Sequence, residues 1–183
     1  MTINMEEALK IAEDAGFEVV APMDPQTMKF LPEVRDMCEV NTCKQWGKKW
    51  TCPPACGTLE ELEAKLLRYQ EGVLFQTIAH MKNEFDGDGM MEAFKVMGAA
   101  TTKLLDALVE RDEDIWPFGS DGCFNCESCT YPDAPCRFPE RAYPSMEACG
   151  LMVMHVCRDN DVTYYYGPGT VAFTGGFLFN PKS

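Results

Sequence analysis

Apolar positions recur every three or four residues near the start of the chain, at Met5, Leu9 and Ala12. Asn4 paired with Glu7 is a capping box ahead of that stripe, and Gly16 closes it, so the pattern predicts a short amphipathic helix. Phe17–Ala21 then reads as a strand. A long proline-containing stretch follows without a clear period. Thr58 with Glu61 is a second capping box, and Leu59, Leu62, Leu66 and Tyr69 share one helical face, which predicts a helix over 58–70. Val73–Ala79 reads as a buried strand. The turn-rich stretch 83–89 leads into a helix over 90–111, striped by Met90, Phe94, Met97, Leu104 and Leu108.

A short strand is expected at Ile115–Phe118 in spite of Pro117. Ser145 is a candidate cap for a helix over 146–158, with Glu147 in its first turn. Two β-rich runs close the chain, Val162–Tyr166 and Thr170–Phe179. Gly167-Pro168-Gly169 between them suggests a hairpin. Tandem Gly175-Gly176 marks a bulge or a close backbone approach. The alternation predicts one α/β domain over residues 1–183, a mixed sheet flanked by helices. If the strands that lead into them run parallel, the two cysteine-rich loops emerge at one sheet edge.

Those loops carry the chemistry. The first holds Cys38, Cys43, Cys52 and Cys56 at spacings x4, x8 and x3. The second holds Cys123, Cys126, Cys129 and Cys136 at x2, x2 and x6. Four thiols per group suit a tetrahedral metal or a cubane cluster. Zinc ribbons present cysteines as two separate pairs, whereas three at x2-x2 match the core of ferredoxin motifs. The second group therefore points to iron–sulfur; the first suits zinc nearly as well. In two-cluster ferredoxins the fourth cysteine of a run serves the other cluster, so Cys56 and Cys136 are open to exchange. Pro53, Pro54 and Pro139 stiffen the loops. Cys149 and Cys157 fall on the apolar stripe of their expected helix and read as buried small residues. His80 and His155 are weaker ligand candidates. With eight clustered thiols at hand they read as structural or exposed.

The chain has 183 residues, 46% hydrophobic and 25% charged, enough for a core that needs no disulfides. It shows neither a basic start with an apolar signal segment nor a run of about 18 apolar residues. A cytoplasmic location is expected, where thiols stay reduced and clustered cysteines read as metal ligands. The net charge of −13 argues against nucleic-acid and anionic-membrane partners. Against that background Lys44, Lys48 and Lys49 lie in the first loop, and Arg137 and Arg141 end the second. Arg137 adjoins a ligand and Trp50 flanks the first loop. Both are candidates for lining a cofactor or substrate pocket. Trp46 and Trp50 otherwise shield the site from water.

The stretches CxxxxC…WTCPPAC and GCFNCESCTY…PCRFPERAYPSMEACG closely resemble a small family of predicted metal-binding proteins of unassigned role, common in anaerobic bacteria and archaea. The resemblance runs from about Cys38 to the C-terminal strands and implies that the eight loop cysteines bind metal in an anaerobe's setting. An aromatic is more usual there at the position of Cys149, which implies that Cys149 is not a ligand. The leading reading is a protein with two 4Fe–4S clusters, acting in electron transfer with a redox partner protein or a small-molecule acceptor. The alternatives are a small iron–sulfur reductase acting on a bound substrate, and a zinc-stabilised interaction module forming a homodimer through Tyr164–Phe179.

Overall fold

The structure, a computed structural model, describes residues 3–83, 85–111, 114–119 and 122–181. Glu84, within the turn read at 83–89, lies outside them. Helix α1 spans Met5–Ala15. Asn4 and Glu7 exchange both bonds of the capping box, and Gly16 ends the helix at φ 103°. Its buried face is Ala8, Ala12 and Ala15, with Met5 and Leu9 packed at the margin. Strand β1 is Val19–Met23 and is followed by a 3-10 turn, Pro25–Thr27. Helix α2, Pro32–Glu39, falls in the stretch where the sequence showed no period. Proline at its first turn is the signal that marks it.

Helix α3 is Leu59–Leu66, again with both capping-box bonds made. Strand β2 is Glu71–His80, α4 is Gly87–Val109, and β3 is Ile115–Phe118. The helix expected over 146–158 divides into a 3-10 turn, Glu147–Cys149, and α5, Val153–Asp159. Gly150 separates them at φ 80°, and its carbonyl accepts from the Leu31 amide at 2.8 Å. Strand β4, Thr170–Phe179, ends the fold.

The strand order is β1-β2-β4-β3, and every neighbouring pair is antiparallel. The α/β reading holds, but the expected mixture of parallel and antiparallel pairs gives way to a uniform ladder. Two connections explain it. Between β1 and β2 the chain passes through two helices, α2 and α3, and re-enters the sheet antiparallel to its exit. Between β2 and β3 it makes one crossover through α4, so those strands do run the same way, but β4 inserts between them. The expected C-terminal hairpin does not form. β2 takes one edge of β4 along its whole length and β3 pairs only with Gly176–Phe179 on the other, yet residues 162–166 do not join the remaining Thr170–Gly175 edge. Gln76 holds that segment instead, donating to the Thr163 carbonyl at 3.0 Å and accepting from the Tyr166 hydroxyl at 2.6 Å.

Alternation along the central strands splits the core into two layers. Val73, Phe75, Phe177 and Phe179 face α1 and α4. Leu74 and Leu178 face α3, α5 and the 3-10 turn with Met146, Cys149 and Leu151. Gly175 and Gly176 mark close approaches rather than a bulge, since the β2–β4 register runs through them unbroken. A Cβ on Gly175 would lie 2.5 Å from the Phe75 ring, and one on Gly176 would lie 2.7 Å from the Val73 carbonyl. No helix among the described residues is long and apolar enough to cross a membrane.

Candidate metal centres

The first group is assembled from three places. Cys38 lies on the last turn of α2, Cys43 and Cys52 lie in the loop after it, and Cys56 lies just ahead of α3. Cys38 interacts electrostatically with Cys43 and Cys56, and Cys52 with the same two. Burial pushes the Cys38 and Cys56 thiols up and carries Cys52 up to about 11. A thiol out of water resists ionising. Arg35 opposes this at Cys38 and Cys56, and Lys49 opposes it at Cys52.

Arg35 is a neighbour of the first cysteine group that the sequence did not single out. Its guanidinium donates to the Ala148 carbonyl at 2.6 Å and to the Gly57 carbonyl at 2.8 Å, and lies 3.8 Å from Cys56 Sγ. It ties α2, the end of the first loop and the 3-10 turn together. Its position one turn before Cys38 becomes a signal only once α2 is known. The same turn covers the thiols: Cys38 Sγ lies 3.8 Å from the Glu147 carbonyl, and Cys56 Sγ 3.8 Å from that of Ala148. The end of the second sequence motif thus packs on the first cysteine group.

Cys149, on that turn, is fully buried, and its thiol is raised well above the ordinary range by burial, with Cys56 and Cys38 adding to the effect. Cys157 is equally buried and accepts from Gln76 Nε2 at 3.7 Å. Both sit in the core layer under α5, on separate elements rather than on one helix stripe. His80 is exposed at the end of β2, and His155 is half-buried on α5.

The second group lies in the loop after β3. Cys123, Cys126, Cys129 and Cys136 all line one cavity of about 290 Å³. Trp50, Lys49 and Arg137 complete its wall. Burial raises the Cys123 thiol, opposed by the Asn125 amide and Lys49. Arg137 donates to the Ser128 carbonyl at 2.9 Å and so braces its own loop. Trp50 Nε1 donates to the Ala134 carbonyl at 3.1 Å, and its ring meets Tyr131 edge-on at 4.9 Å. Lys49 donates to the Cys123 carbonyl at 2.6 Å and sits over the Phe124 ring. The loops are therefore neighbours through residues 49 and 50, not through a shared edge of parallel strands. Cys136 faces the same cavity as the other three cysteines of its run, and Cys56 sits with Cys38 and Cys52. Among the described residues, no three His, Cys, Asp or Glu side chains are drawn together as closely as a single bound ion would hold them.

A family model for predicted metal-binding proteins matches residues 21–179, most of the chain and both cysteine groups. The chain belongs to that family, DUF2284. Residues 1–20, with α1 and the first two positions of β1, and residues 180–183 fall outside the part shared with DUF2284. No curated protein and no solved structure matches it. In donor chemistry, though not in the spacing of a single bound ion, the two groups suit a metal: each supplies four thiols, and cationic side chains, Arg35 and Lys49, lie beside them to favour the thiolate form.

Proposed function

We propose that this member of the family binds two iron–sulfur clusters and acts in one-electron transfer. The observation that carries the reading is the second group. Three cysteines at x2-x2 and a fourth seven residues on all face a cavity of about 290 Å³, large for one ion. A cubane distributes its thiolate ligands over separate irons, so it suits thiols set around a space. Cys123, Cys126, Cys129 and Cys136 would hold one cluster, and Cys38, Cys43, Cys52 and Cys56 the other. Such clusters supply one-electron chemistry when bound.

The chain's own residues do the rest. Arg35 and Lys49 stabilise thiolate character at the ligands, and each fixes backbone carbonyls of a cysteine loop. Trp50 walls the thiol-lined cavity, backed by the Tyr131 ring edge-on against it, and limits water access there. A redox partner protein or a small acceptor would meet the protein at these loops, where Cys43 is exposed and the other cysteines are half-buried rather than sealed. A small reductase is the second reading, favoured by an apolar cavity against Cys123.

Anaerobic purification followed by iron, acid-labile sulfide and zinc analysis tests the proposal. Brown protein with iron and sulfide in equal amounts, and an EPR signal on reduction, is the expected result. Colourless protein with stoichiometric zinc would overturn it.

A further inference from the structure

A second cavity, of about 280 Å³, lies between α4 and the end of β3. Cys123, Phe124 and Asn125 form part of its wall and also part of the wall of the thiol-lined cavity. The lining is mostly apolar, with Phe75, Met97, Leu104 and Phe118 supplying much of it. Arg141 reaches the same wall, but its charge is matched by an ion pair with Asp106. Thr101 lines the cavity, and its Oγ1 is buried without a hydrogen-bond partner among the described residues. A buried hydroxyl left unpaired is unfavourable, and a χ1 rotation that turned it to the cavity would let a ligand bond to it and remove that cost. The volume sits at the lower end of small-molecule sites, which begin at roughly 300 Å³.

We propose that this cavity is a binding site for a compact, uncharged, largely apolar molecule whose one polar group bonds to Thr101. The molecule would sit one residue's thickness from the second cysteine group. That juxtaposition gains redox meaning only through the iron–sulfur reading above; the binding does not depend on it. An anionic ligand is disfavoured by the apolar lining, the matched Arg141 and the acidic chain.

Equilibrium dialysis of the full chain, purified anaerobically, against indole and against indole-3-carboxylate tests the site. Metal and sulfide content is measured on the same samples. Wild type should bind indole with a Kd of about 1 mM or tighter, and the carboxylate roughly fivefold more weakly or worse. Thr101→Val, which keeps the shape and removes the hydroxyl, should weaken indole about fivefold. Gly98 lies at the rim, and a Cβ there meets nothing within 4 Å, so Gly98→Leu should obstruct the mouth and abolish binding. No indole binding by wild type, or equal binding by wild type and Thr101→Val, would overturn the site. Should Gly98→Leu fail to fold, Thr101→Val alone decides. Zinc in place of iron would sink the iron–sulfur reading and leave the indole result standing, so the two failures are separable.

Discussion

Lys49 of the first cysteine loop donates to the backbone carbonyl of Cys123 in the second at 2.6 Å, and its ammonium lies 4.7 Å from the centre of the Phe124 ring. A charge-assisted bond of this kind contributes about 1.5–3 kcal/mol. It also places a cation beside the first thiol of the x2-x2 run. Lys49→Met should loosen the second group's hold on metal by roughly tenfold, as losing an outer partner does at other metal sites. Competition with a chelator measures it. Unchanged retention would show that the contact is incidental.

Thiol ionisation gives the metal-free protein a pH dependence of definite sign. Burial raises Cys38, Cys56 and Cys123, and takes Cys52 to about 11. In the unfolded chain these thiols ionise near about 8.5. The contribution to stability is therefore intact below about 8.5 and is lost as pH rises through the folded value near 11. Urea midpoints of metal-free protein should fall between neutral pH and pH of about 10.5, and Cys52→Ser should flatten part of the fall. A midpoint that stays level over that range would refute the assignment.

On the acid side the relevant group is Asp159 of α5. Side-chain bonds from Arg158 and Lys29 lower it to about 2. Its stabilising effect is present above the unfolded value of about 3.9 and disappears as pH falls through about 2. The Lys29–Asp159 pair, at 3.1 Å, ties α5 to the segment before α2. Asp159→Asn should reduce the acid sensitivity of the urea midpoint over this window and leave it unaltered at pH of about 7 to 8 apart from a constant offset. Parallel wild-type and variant curves would count against this role.

Two glycines should respond to alanine with opposite signs. Gly150 has φ 80°, and a Cβ there would lie 2.4 Å from Leu59 Cδ1. Gly150→Ala should cost about 1–3 kcal/mol and disturb the turn that covers the first cysteine group. Gly98 sits inside α4 with open space around its Cβ position. Gly98→Ala should stabilise by about 0.4–1 kcal/mol. Chemical denaturation of the two variants beside wild type provides the comparison, and equal shifts would contradict it.

What the sequence reveals is what short-range chemistry determines. Asn4 with Glu7 and Thr58 with Glu61 announce their helices because a capping box is a local exchange of bonds. Ile115–Phe118 is a strand despite Pro117 because β3 lies at the sheet edge, where a missing amide is tolerated. Long-range geometry is less legible. Val162–Tyr166 has strand composition, but its Thr163 carbonyl and Tyr166 hydroxyl bond to Gln76 rather than to the Thr170–Gly175 edge of β4, so propensity yields to tertiary contacts. Helix α2 escapes a periodicity search because it is eight residues long and buries only Val34.

The same division applies to the candidate site. The eight thiols and their grouping are visible as spacing, and Trp50 and Arg137 do stand in the wall of the thiol-lined cavity. Arg35 is invisible in the sequence because its partners, Gly57 and Ala148, are distant in the chain. Cys149 is legible as a buried residue but not as a neighbour of Cys38 and Cys56, since that proximity comes from the turn at Gly150.

The bonds from Lys49 and Trp50 to the second loop also bear on the order in which the protein matures. Whatever fixes residues 43–56 fixes the donors that hold the Cys123 and Ala134 carbonyls. If both cysteine groups hold clusters as proposed, filling one would lower the entropy still to be lost at the other. Because such linkage is reciprocal, the advantage would be the same in either direction. The two centres would then form one unit of assembly, with half-filled protein the scarce species during loading.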